Sequence, residues 1–147
     1  MKEAISIAVV FLFIFGWKVT PAVDLIFLTS VGILFYGLIL RDCRLAVAHW
    51  IVTLVLCAAF LYSITVVAFN GLNEMQIALR TLRAAINYLA AVVLVQLYKD
   101  SCPGKFHVQV LKHIFICFAI HSALMATMYI FPDVRAIVYE LTSAKSI

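Results

Sequence analysis

Two arginines three residues apart, Arg80 and Arg83, are the pair in this chain best suited to hold an anion. On a helix, residues i and i+3 are neighbours on one face. Two guanidinium groups there present planar forks that match a phosphate, a pyrophosphate or a carboxylate. The pair leads into an uncharged run, so its other reading is an anchor at a membrane interface. His121 stands eight residues into a second uncharged run, beside Ser122. An imidazole in that setting relays a proton, binds a metal, or bonds across to a neighbouring helix. No acidic residue and no second histidine shares its run, which favours the interhelical bond.

The remaining polar groups read as structural. Asn87 and Tyr88 follow one turn after the arginines, and Ser63 and Thr65 lie late in another apolar run. All four are expected to bond across helices or back to their own carbonyls. His113 beside Lys112 reads as part of a basic island, and His49 with Trp50 as an interfacial start of a span. The four cysteines, Cys43, Cys57, Cys102 and Cys117, form no CxxC and no metal-ligand spacing. No phosphate-binding loop, dinucleotide fingerprint, metalloprotease motif or nucleophile elbow occurs, so neither a metal nor a cofactor is expected.

These residues must be positioned by an unusual chain. It has 147 residues, 66% hydrophobic and 12% charged. Soluble domains are about 45–50% apolar and about 25% charged. So few charges cannot coat a water-facing surface, and one small core cannot hide so many apolar residues. Composition therefore excludes a soluble enzyme, a nucleic-acid binder and a disordered chain. An all-α, polytopic integral membrane bundle remains. The net charge of +4 suits attraction to an anionic leaflet.

The 18 charges fall in six islands: Lys2–Glu3, Lys18–Asp24, Arg41–Arg44, Glu74–Arg83, Lys99–Lys112 and Asp133–Lys145. Between them lie uncharged runs, and a span needs about 20 residues. The third and fifth runs meet that requirement. The others reach it when terminal basic side chains snorkel to the headgroups. The expectation is one transmembrane domain over residues 1–147, with spans near 4–17, 25–40, 45–69, 77–98 and 109–131. Helices are required because open strand edges in lipid leave backbone groups unpaired. Short connections make successive helices antiparallel.

The basic islands set the orientation. With the N-terminus inside, the inner islands carry six Lys and Arg and the outer ones five, or three if Arg80 and Arg83 belong to a helix. That predicts a cytoplasmic N-terminus and an external C-terminus. Cys43 and Cys102 then face the cytoplasm, where disulfides are not expected. The first run has some character of a signal peptide, but Pro21 and Asp24 suit cleavage poorly, so an uncleaved span is expected. Asn70-Gly71 and Pro103-Gly104 mark turns. Asn73 with Gln76 caps a fourth helix beginning near residue 74. After Pro132-Asp133, Val134, Ile137, Val138 and Leu141 form one apolar stripe. It predicts an interfacial amphipathic helix over 133–143, the alternative being a frayed tail.

Two stretches read together, Arg80–Tyr98 and Leu111–Arg135 with the amphipathic helix after it, resemble the N-terminal third of bacterial O-antigen polymerases of the Wzy type. In that family an arginine-led span is followed by a short basic cytoplasmic loop. Next comes a span with a polar His or Gln position that leaves through Phe-Pro into a periplasmic segment. Here the corresponding features are Arg80 and Arg83, the Lys99–Lys112 island, His121, and Phe131-Pro132. The resemblance covers residues 75–141.

The resemblance implies a bacterial inner-membrane protein of lipopolysaccharide assembly. It would join repeat units carried on undecaprenyl pyrophosphate at the periplasmic face, by metal-independent glycosyl transfer. Arg80 and Arg83 would hold the lipid pyrophosphate and stabilise it as a leaving group, with His121 as a secondary candidate. Other membrane proteins of polysaccharide assembly would be partners, besides the bilayer and the lipid-linked glycan. Members of that family have many more spans and large periplasmic loops. Five spans therefore correspond to a piece of such an enzyme, one not expected to be catalytically self-sufficient. Two readings compete: a small non-enzymatic membrane protein that modulates a larger partner, and a transporter subunit. The absence of any acidic residue inside the five runs disfavours the transporter.

Overall fold

Backbone amides in an apolar setting must pair within their own segment, and helices accordingly fill the uncharged runs. The computed structural model describes residues 3–16, 18–20, 23–70 and 75–141. The order is α1 (Glu3–Phe15), a short antiparallel pair β1 (Lys18–Thr20) and β2 (Val23–Asp24), then α2 (Leu25–Leu34), continued by a widened helical segment (Phe35–Leu40). There follow α3 (Val47–Asn70), α4 (Met75–Ser101), α5 (Phe106–Ile130) and α6 (Pro132–Leu141).

Three of these helices are long and apolar enough to cross a membrane: Val47–Phe69, Ala78–Ser101 and Phe106–Ile130, of 23, 24 and 25 residues. At 1.5 Å per residue each is about 35 Å long, against roughly 30 Å of hydrocarbon. The first two apolar helices, Glu3–Phe15 and Leu25–Leu40, are shorter. The fourth helix starts within a residue of the position expected from the turn at Asn70-Gly71. Its expected cap at Asn73 lies outside the described residues, as does the end of the stripe beyond Leu141.

Local chemistry explains the boundaries. The Asp24 carboxylate accepts from the N–H groups of Ile26 and Phe27, at 3.0 and 3.3 Å, and so caps α2. In the widened segment Arg41 N–H reaches back to the Tyr36 carbonyl and Cys43 N–H to that of Gly37. Asp42 then takes a positive φ of 48° and ends the run. Between α4 and α5 the turn passes through Gly104 at φ 83°, a conformation that only glycine adopts without cost. Pro132 opens α6, where its missing N–H is not needed. Inside the apolar helices the hydroxyls of Thr53, Ser63, Thr65 and Thr127 each donate to the carbonyl four residues earlier. That is the back-bonding expected for Ser63 and Thr65.

The chain groups into two compact units, residues 1–29 with 98–147, and residues 30–97. In the first, α1 packs along α5 and α6 packs on the end of α5. Glu3 meets Lys112, the Cys117 thiol donates to the Ile7 carbonyl, and Phe15 meets Phe118 and His121. Contacts that advance together along both helices mean that α1 and α5 run parallel. In the second unit Ser30 donates to Asn87 at 2.8 Å. Seven residues on, Gly37 lies against Val93 and Leu97. The widened helix and α4 are therefore parallel as well. A Cβ on Gly37 would stand 2.0 Å from Val93 Cγ1, so glycine is what permits the close approach.

Candidate functional site

The arginine pair lies near the start of α4, in the second unit. Residues 80, 83 and 87 are spaced i, i+3 and i+7, so Arg80, Arg83 and Asn87 share one face of the helix. Arg80 is exposed and Arg83 half-buried. Ala78 and Ala85 are buried, at 0% and 3% exposure, and lie on the opposite side of the helix from Arg80. The small alanines let the helix pack there while the guanidinium of Arg80 stays open to an incoming anion.

Below the arginines, α4 is fixed on two sides. Asn87 accepts from Ser30 of α2, and the Tyr88 hydroxyl shares a hydrogen bond with His49 Nδ1 of α3 at 2.9 Å. Of the two roles expected of Asn87 and Tyr88, a bond across helices or one back to their own carbonyls, both make the bond across helices. Ala90, Val93, Leu94 and Leu97 then form the buried stretch of α4 toward its C-terminal end. The arginine face is thus carried by a helix whose position two neighbouring helices determine. What such a face can do is bind: two guanidinium forks recognise a phosphate or carboxylate by charge-assisted hydrogen bonds.

His121 belongs to the first unit. Its ring stacks on Phe15 of α1, with centroids 4.2 Å apart and planes 10° from parallel, while Phe118 meets the same phenyl ring edge-on at 4.9 Å. This half-buried imidazole makes an aromatic contact between α1 and α5 rather than the interhelical hydrogen bond expected of it. No group of three or more His, Cys, Asp or Glu suited to a metal ion occurs among the described residues.

One polar centre was not visible in the sequence. His113, read there as part of the basic island with Lys112, is only 2% exposed. Its Nδ1 is hydrogen-bonded to the Tyr98 hydroxyl, its Nε2 lies 3.1 Å from Gln109 Nε2, and Glu3 Oε1 is 3.8 Å away. Tyr98 in turn shares a hydrogen bond with Ser6. The exposed pair Lys112–Glu3, at 2.6 Å, closes the group on its outer side. Gln109 and His113 are i, i+4 on one face, which the sequence does show. That Tyr98 and Ser6 complete the group depends on how α1 and the end of α4 pack on α5.

Compared with known proteins, the chain matches no family model, no curated protein and no solved structure.

Proposed function

We propose that this chain is a multi-pass protein of the bacterial inner membrane that handles a polyprenyl-pyrophosphate-linked glycan in surface-polysaccharide assembly, in the manner of an O-antigen polymerase. The observation that carries the reading is the Arg80–Arg83 face of α4, with Arg80 exposed and Asn87 on the same face tied to α2. A pyrophosphate is among the anions that two adjacent guanidinium forks suit. In this reading α4 begins at the periplasmic side, so the pair stands where the lipid-linked substrate arrives. The N-terminus is cytoplasmic and the C-terminus periplasmic. Five crossings are supported by helix direction: α1 runs with α5, and α2 with α4, as odd and even members of an alternating series must.

The test is a lipopolysaccharide ladder gel. In the native host the gene is deleted, or is given the double substitution Arg80→Gln with Arg83→Gln in place. The reading expects deletion to collapse the ladder, and the double variant to collapse it equally while reaching the membrane at the parent level. An unchanged ladder after deletion, or a normal ladder from the double variant, overturns it.

A second reading has its own observation. Along α3 the large apolar side chains Trp50, Ile51, Leu54, Val55, Leu61 and Tyr62 are all exposed. These six share one face of the helix, and a helix that exposes such a face while bonded to α4 through His49 and Tyr88 suits a chain that offers α3 to a larger membrane protein and modulates it without catalysis. Crosslinking from α3 to one partner band, with the ladder intact in the double arginine variant, favours this reading.

A further inference from the structure

We infer that His113 is a proton-sensitive latch that holds α1 and the end of α4 on α5 while it is neutral and loosens them when it is protonated. The inference is independent of the substrate proposed above, since none of its residues belongs to the arginine face.

The argument begins with hydrogen-bond supply. The ring is 2% exposed and its two nitrogens face three side chains: Tyr98 at Nδ1, and Gln109 and Glu3 at Nε2. A neutral imidazole offers one donor and one acceptor, and both find partners here. With Nδ1–H donating to the Tyr98 oxygen, Nε2 accepts from the Gln109 amide. The Ser6 hydroxyl bonds to the same phenol and ties α1 to α4. A neutral ring therefore sits in a chain of bonds through three helices.

A proton on Nε2 breaks that arrangement. The Gln109 N–H groups then point at an N–H, so the amide must turn over or move away. The new positive charge sits in a nearly closed site, which opposes it. Its one anionic neighbour is Glu3, and Lys112 already holds that carboxylate at 2.6 Å while adding a second positive charge nearby. The other titratable groups around this site are the Tyr98 phenol and the Cys117 and Cys102 thiols. Among the described residues no second carboxylate acts on the ring. Protonation is thus paid for by the seam, through parting of α1 from α5 or of Gln109 from the ring.

Access completes the device. The Glu3 and Lys112 side chains are 55% and 52% exposed, and Glu3 reaches the buried ring. A proton from the aqueous side arrives by way of this carboxylate without prior opening of the helices. Histidine is the side chain whose charge changes between about pH 5 and pH 8, so the latch reports the acidity of the compartment at this end of α1 and α5.

The experiment uses the full chain in lipid nanodiscs with ring-labelled histidine. Nuclear magnetic resonance follows each imidazole against pH, with the four histidines assigned by single His→Gln variants. Thermal unfolding is followed over the same pH range. The latch requires the His113 ring to take up its proton within the pH range over which the helices loosen. It also requires the unfolding midpoint of the parent to fall in acid across the His113 titration, and His113→Gln to lack that fall. Glu3→Gln, an exposed change that leaves the ring in place, should move the His113 titration further down. Lys112→Met should move it up. A His113 ring that ignores both charge variants, or that leaves the same acid-dependent midpoint when replaced, overturns the inference.

Discussion

Gly37 has no side chain, and Val93 fills the space where one would stand. A methyl group placed 2.0 Å from Val93 Cγ1 must push α2 and α4 apart or force Val93 off its rotamer. Gly37→Ala is therefore expected to destabilise the folded state by about 1–3 kcal/mol, the usual cost of overpacking. Val93→Ala in the same chain should restore part of the loss. Denaturant titration of the four members of that cycle in micelles measures the coupling. The His49–Tyr88 bond makes a smaller prediction. Tyr88→Phe keeps the ring and removes the hydroxyl, and such interhelical bonds average about 0.6 kcal/mol. The same titration reads it, and a loss several times larger would mean that Tyr88 does more than join α3 to α4. Among single residues, the sequence foretold Asn87, Tyr88, Ser63 and Thr65 because a polar group in an apolar run must find a partner nearby. It misplaced His113 because a histidine beside lysines looks solvated, and only the packing of α1 and α4 on α5 closes the site.

α1 is held on α5 at its start by charge and at its end by aromatic rings. The Lys112 ammonium donates to Glu3, and that hydrogen bond, with the charge behind it, holds the Glu3 carboxyl below the ordinary glutamate range. Glu3 is just ahead of the uncharged run and faces water. A carboxyl lowered in the folded state contributes stability above its unfolded value, and the contribution is lost as pH falls through the lowered one. A second acid-dependent loosening of α1 is thus expected in the carboxylate range, below the histidine transition. Lys112→Met should remove it, as read by the unfolding midpoint against pH. At the other end Gly16 follows α1, and a Cβ there would stand 2.3 Å from the Leu12 carbonyl and 3.0 Å from Ile26 N. Gly16→Val is expected to lower the thermal midpoint, with Gly32→Val as a control because open space surrounds that position. The long helices were legible as elements. Their lengths follow from where the charges stop, and α3 was expected over 45–69 and occupies Val47–Asn70. The β1–β2 pairing and the widened turn over Phe35–Leu40 were not legible. Both depend on hydrogen bonds between particular backbone groups rather than on any pattern of apolar residues.

For the whole molecule, the proposed alternating series of five crossings makes a definite prediction about sides. In a variant whose four cysteines are replaced by serine or alanine, Ala144→Cys should react with an impermeant thiol reagent in intact cells. Lys105→Cys, between α4 and α5, should react only after lysis. Both reacting from the same side would remove the five-span arrangement, and a reversed pattern would invert the orientation. Charge counts suggest an orientation, but the margin between six and five basic residues is narrow. The parallel pairs α1–α5 and α2–α4 add what no count of charges contains, because direction is a property of packed helices.

The parallel seating of α1 on α5 also sets an order in time. Glu3 and Lys112 are 109 residues apart in the chain, so α1 leaves the ribosome well before the helix it packs against. At about 5–20 residues per second, α1 spends roughly 5–20 s without the surface that will cover it. Throughout that interval Ser6, Phe15 and the exposed Glu3 have only lipid, water or the insertion machinery for company. Ribosome-bound chains arrested before residue 106 should therefore leave α1 open to crosslinking by that machinery, and chains extended past residue 130 should release it.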